Sequence, residues 1–173
     1  MSDIIVAMRM EGKPEPTEIS DELLQKTTEK AEAQYRLVAT VHCPYLKEEV
    51  HFATSGLAHI KFKSWGRPRS RFDQYTRLKL LHLAPEVVRH SHTLQGIWET
   101  SLWERRKKHG HWEKIPKPVT YCEFVAVIGK IRVKIIVKKA EGTAWHFWSV
   151  IPFWRMNTVT NQRKLYDGDP ETE

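Results

Sequence analysis

The chain has 173 residues, room for one domain with a real hydrophobic core and too few for two comfortable ones at about 100–200 residues each. Its 28 Lys and Arg against 21 Asp and Glu leave a formal charge of +7, so an acidic partner is expected, nucleic acid before a membrane surface. Cys43 and Cys122 lie far apart and form no CxxC, which argues against a disulfide scaffold or a structural zinc site, and no apolar run approaches the roughly 18 residues of a membrane span. With no leader pattern at the N-terminus, a cytoplasmic protein is the expectation.

In chain order, residues 1–15 end in GKPEP and read as a loose segment, residues 16–157 as one α+β domain, and residues 158–173 as a polar tail with room for one more strand. A helix is predicted from PTEISDELLQKTTEKAEAQYRL, capped by Ser20, with Leu23, Leu24, Thr27, Ala31 and Tyr35 on one face. RLVATVHC reads as a short strand ended at Cys43-Pro44. HFATSGLAHIKFK, residues 51–63, starts as a strand, breaks at Ser55-Gly56, and then begins a short helix or turns into a second strand. RFDQYTRLKLLHL has helical spacing from Arg71 to about Leu83, and APEVVRHSH suits a second short helix entered through Pro85.

After His92 come four β-like runs, TLQGIWETSLWERR, TYCEFVAVIG, KIRVKIIVKK and TAWHFWSVIPFWR. The short connections at Gly129-Lys130 and AEGT suit antiparallel hairpins. The expected fold is therefore α+β, with N-terminal helices on one face of an antiparallel meander of about four strands. The other face, where Arg132, Lys134 and Lys138 are expected to reach solvent among aromatics, would be the working surface.

Metal-free RNA cleavage needs a base for the 2′-hydroxyl, an acid for the departing 5′-oxygen, and cations or hydroxyls on the charged phosphorane. His59, just after the Gly-containing break and trailed by Lys61 and Lys63, is either such an acid-base group or a polar residue whose ring packs on the following helix. His51 is a possible partner but fits an exposed strand position better, and His82 fits a satisfied core histidine. His90 and His92 have an HxH spacing with no third ligand in view, so no metal site is assigned; His109 and His111 sit in a basic Gly-containing hairpin loop suited to touching phosphate. Arg67, Arg69 and Arg71 beside Trp65 form either a phosphate clamp or a solvated loop. The run WHFWSVIPFW, with His146, Trp148 and Ser149, is either core or a surface that stacks on unpaired bases. P-loop, GxGxxG, nucleophile-elbow and HExxH motifs are absent.

VHFATSGLAHI, residues 50–60, resembles the pattern hxhT-x-GL-x-HI that opens the domain in the phage-associated branch of the barnase–EndoU–colicin–RelE-like ribonuclease superfamily. TRLKLLHLAPEVV, KIRVKIIVKK and HFWSVIP match its later elements, so that the resemblance covers about residues 38–153. It implies a barnase/RelE-like fold and an endoribonuclease without a cofactor, often a toxin, leaving a 2′,3′-cyclic phosphate. His59 would be the acid-base residue, Ser149 the hydroxyl on the last strand, and Arg132 or Lys134 the cation on the central strand. KFKSW stands where a second histidine is expected, which leaves Lys61 or Lys63 as the substitute. Lys63, Arg67, Arg69, Arg71, His146 and Trp148 are the expected RNA contacts. The partners implied are RNA and a cognate antitoxin or immunity protein, with no membrane. Two other readings use the same residues: a non-catalytic basic and aromatic nucleic-acid-binding module, and a phage or host-takeover protein that binds another protein.

Overall fold

The computed structural model describes residues 19–63, 66–129 and 131–152, together with the backbone of 156–157 and 162–163. The loose segment 1–15 and most of the 158–173 tail lie outside the described residues. Helix α1 (Asp21–Arg36) starts where expected: the Ser20 side chain accepts the Leu23 N–H at 3.2 Å, Asp21 and Glu22 stand in the first turn, and Arg36 stands in the last. Strands β1 (Thr40–Cys43) and β2 (Glu48–His51) follow as a hairpin, then α2 (Thr54–Lys61). Helix α3 (Arg71–Leu80), capped by the Ser70 side chain on Asp73 N–H, runs through a 3-10 turn (Leu81–Leu83) into α4 (Ala84–His90). Four longer strands complete the sheet, β3 (Gly96–Lys108), β4 (His111–Ile128), β5 (Ile131–Ala140) and β6 (Trp145–Pro152), and the two-residue strands β7 (Met156–Asn157) and β8 (Gln162–Arg163) pair with each other.

The sheet has six strands in the order β1-β2-β6-β5-β4-β3, all antiparallel except β2 with β6. The meander of four strands expected from the sequence is thus β3–β6, widened by the β1–β2 hairpin, whose first strand lies within RLVATVHC and whose second ends at His51, where the sequence predicts the start of a strand. β1 and β2 are four residues each; β1 alternates with Val41 and Cys43 inward, whereas β2 buries only Val50, too little pattern to show that the pair joins the meander.

Helices cover one face of the sheet. Tyr35, Ile60, Leu78 and Val88 from the helices meet Val50, Phe124, Val133, Ile135, Phe147 and Val150 from the strands in the main core. Free Cys43 and Cys122 are buried in it, and burial pushes the Cys122 thiol up to about 11. The opposite face holds a smaller cluster of Val119, Tyr121, Ile136 and Ile151, with Leu102 and Trp148 against it. His82 departs from expectation: it is exposed, with Nδ1 2.9 Å from the Lys79 carbonyl, because the apolar face of this turn is taken by Leu81 and Leu83.

Two local devices shape β6. The Ser55-Gly56 pair does not break the chain; α2 runs straight through it, since Gly56 is where the helix backbone rests directly on β6. A Cβ there would collide with the carbonyl oxygen of Phe147 and lie 2.7 Å from its Cδ1 and 2.9 Å from the Tyr35 hydroxyl. A β-bulge then sets Ser149 opposite Ile136 and Phe147 opposite Val137, which leaves Trp148 as the extra residue. Without it, strict alternation would send Ser149 into the main core; with it, Trp148 and Ser149 stand together on the second face, while Phe147 and Val150 both reach the main core.

Candidate functional site

Because β2 pairs with β6 only at Val50–Trp145 and His51–His146, the rest of the β6 edge is met by α2 and α3. His59, from the last turn of α2, reaches around that edge. Its ring stacks on Trp148 with centroids 4.2 Å apart and planes at 23°, and only 7% of the residue is exposed.

Arg69 enters the same site from the loop before α3. Its Nε donates to the His59 carbonyl at 3.0 Å, and its Nη2 lies 3.3 Å from His59 Nε2. A guanidinium has no lone pair to offer, so Nε2 accepts and the imidazole is neutral with its proton on Nδ1. Asp73, one turn on, binds Arg69 at 3.3 Å and Arg77 at 2.7 Å. Arg77 then donates through Nη1 to the Ser149 hydroxyl at 2.8 Å and to the Val150 carbonyl of β6 at 3.2 Å. The chain of contacts His59–Arg69–Asp73–Arg77–Ser149 is continuous, and all of it but the half-buried Asp73 is buried.

From β5, Lys138 sets its ammonium 3.9 Å from the Trp148 ring centroid and 5.3 Å from that of Tyr121. His146 meets Trp148 edge-on at 6.0 Å. Tyr121 is fully buried below, and its hydroxyl has no hydrogen-bond partner among the described residues. Among the described contacts, Arg69 and Arg77 share the Asp73 carboxylate, and Lys138 stands over Trp148, the ring on which the neutral His59 imidazole is stacked.

Burial, more than the neighbouring charges, sets the titration. Burial, then the charges of Arg69, Arg77 and Lys138, pull the His59 pKa down from 6.5 to about 3, with Asp73 opposing weakly. Burial pulls Lys138 down to about 8. His146 is lowered too, by burial first and by Lys138 second.

Among the residues expected from the sequence, His59, Arg69, His146, Trp148 and Ser149 come together here. Lys61 does not: it points along the other side of α2 and pairs with Glu32 of α1. Arg71 pairs with Asp21 at 2.6 Å and donates to the Ile19 carbonyl, tying α3 to the start of α1. Lys63 and Arg67 are exposed in the loop between α2 and α3, linked by a backbone hydrogen bond of 2.7 Å. Arg132 is exposed opposite Val127, and Lys134 is buried, against the expectation that it reaches solvent, with Glu123 at 2.9 Å. Lys138, also expected at solvent, is buried instead, its ammonium over two aromatic rings.

Asp73, Arg77 and Tyr121 were not foreseen. The first two had a signal: Arg69, Asp73 and Arg77 are four residues apart, the spacing that puts oppositely charged side chains together on a helix. Among the described residues no three His, Cys, Asp or Glu side chains stand close enough to hold a metal ion, and no helix is long and apolar enough to cross a membrane. His90 turns its Nδ1 to the Glu86 carbonyl of its own helix at 2.9 Å.

Compared with protein-family models, with curated proteins and with solved structures, the chain has no match.

Proposed function

We propose that the chain is an endoribonuclease that works without a metal, cleaving RNA by attack of the 2′-oxygen on the adjacent phosphorus to leave a 2′,3′-cyclic phosphate and a free 5′-hydroxyl. Within that class we place it with the barnase–EndoU–colicin–RelE-like enzymes, on the motif VHFATSGLAHI and on helices packed against an antiparallel β3–β6 meander. The observation that carries the reading is the meeting of His59, Ser149 and three cations at one edge of the sheet.

In this mechanism the scissile phosphate draws Arg69 and Arg77 to its oxygens. That releases His59 Nε2 from the guanidinium and offsets the charges that depress its basicity, so the imidazole takes the 2′-hydroxyl proton. The guanidiniums stabilise the phosphorane. Lys138, protonated at neutral pH with a pKa near 8, gives its proton to the departing 5′-oxygen. Ser149 is fully buried and positions Arg77, and Trp148 offers its ring to a base. A short RNA carrying a single 2′-deoxy residue tests the chemistry, because cleavage must stop at that linkage alone. Cleavage there would overturn the assignment.

One observation favours a second reading. His59 is nearly sealed beneath Trp148, as suits an imbedded structural ring, and in that case the same cations serve a nucleic-acid-binding module that cleaves nothing. Binding that is lost with salt, without products at any pH, would mark it.

A further inference from the structure

β3 and β4 outrun the sheet. The last β5 residue, Ala140, pairs with Val119, so β4 residues 111–118 and their partners 101–108 form a two-stranded ribbon about 25 Å long. It is closed by His109-Gly110, both at positive φ (48° and 85°), as a two-residue primed turn requires. Pro116 and Pro118 lie where β4 loses β5, and without N–H groups they deny that side of the ribbon a further strand.

The two faces of the ribbon differ. Cross-strand partners share a face, so Trp103 with Pro116, Arg105 with Lys114, and Lys107 with Trp112 form one strip. It has three cations, no acid, and two indoles that are 71% and 69% exposed. Both acids go to the other face, where Glu104 pairs with Lys117 at 3.2 Å and Glu113 stands opposite Arg106. The two rings are separated by about 13 Å along the ribbon, with Arg105 and Lys114 between them.

We infer that this strip is a docking arm for single-stranded RNA, its cations on successive phosphates and its indoles under unpaired bases. Charge sorting picks the occupant: a protein partner would be served by either face, whereas a polyanion with exposed π-faces fits only the strip without carboxylates. The choice of RNA over another single strand rests on the function proposed above. Leu102, on the opposite face, packs beside the Trp148 cluster. The strip therefore opens away from the His59 site at the root of the ribbon and holds RNA remote from the scissile bond, so it acts on KM more than on kcat.

The test uses the full chain and a fluorescent 2′-O-methyl oligoribonucleotide, which cannot be cleaved by 2′-attack. Three variants are compared: Arg105→Gln/Lys107→Gln/Lys114→Gln, Trp103→Ala/Trp112→Ala, and a charge-matched control, Lys26→Gln/Lys30→Gln/Arg89→Gln, from exposed helix positions. All three leave the cores untouched, and their melting by circular dichroism checks that. The strip cation variant is expected to lower the salt slope of log K by about 2, at roughly 0.7 per phosphate lost. Each indole removed is expected to weaken binding roughly 5- to 150-fold. Strip variants that bind no worse than the control, or a wild-type chain without affinity for the oligonucleotide, would overturn the proposal. Arm-dependent binding by a chain that cleaves nothing would support it and remove the enzyme; cleavage of RNA with an arm that does not matter would do the reverse.

Discussion

Gly56→Ala is the sharpest perturbation of the packing that positions the site. In an ordinary exposed helix this change gains about 1 kcal/mol of propensity. Here the new Cβ would land on the Phe147 carbonyl oxygen and within 2.7 Å of the Phe147 ring. The obstruction is sheet backbone, which cannot rotate away, so α2 must retreat by roughly 1 Å to reach ordinary contact distance. Overpacking of this kind costs up to about 3 kcal/mol. After the propensity gain, a net loss of about 2 kcal/mol is expected, or about 4–8 °C in melting temperature for a chain of this size. The same retreat takes His59 off its 4.2 Å stack with Trp148, and a misplacement of about 1 Å can cost on the order of 100-fold in rate. Urea titration and thermal melting beside Ser55→Ala, an exposed change in the same helix turn, measure the effect. A Gly56→Ala protein as stable as Ser55→Ala would refute the close approach of α2 to β6.

Arg77→Met removes the 2.7 Å partner of Asp73, leaves it the 3.3 Å contact with Arg69, and takes from the buried Ser149 hydroxyl its Arg77 donor. Because Asp73 stays partly exposed, the loss belongs at the low end of the range for breaking a buried pair, about 3 kcal/mol by denaturant unfolding. The His59 pKa lies below its ordinary value, so the unfolded chain binds more protons between pH 6.5 and about 3, and stability must fall as pH falls through that window. His59→Gln should flatten the acid limb of the stability profile; an unchanged limb would place its cause elsewhere. Lys138, lowered to about 8, must be protonated to act as the acid, so cleavage should decline above pH 8 in the wild type and be low throughout in Lys138→Met.

Where the sequence carried a local signal, the expectation and the structure agree. Ser20 as a cap, helix entry through Pro85, and the helical spacing after Arg71 all depend on residues within a turn of one another, and all are present. Gly56 shows the limit of local reading: glycine marks a break as readily as a close approach, and only the partner backbone of β6 tells them apart. The bulge at Trp148 is similar. Alternation along WHFWSVIP gives no sign that Ser149 and Trp148 share a face, and that sharing is what brings Arg77 to the site. The lysines after His59 were the natural candidates by proximity in the chain, yet Lys61 turns to α1, and the cation that reaches Trp148 is Lys138 from a strand nearly 80 residues on. Arg69 was one of three equivalent arginines in the sequence. The structure singles it out through Asp73, four residues on, which pairs with Arg69 while Arg71 pairs with Asp21.

Incubation of the purified chain with total RNA in excess EDTA, beside His59→Ala, tests the central claim most directly. The account predicts cleavage that EDTA does not affect, products ending in 2′,3′-cyclic phosphate, and a loss on the order of 10²–10⁴ in the variant. A wild-type chain that yields no products between pH 5 and 9, or a His59→Ala chain that cleaves as well as the wild type, would contradict it.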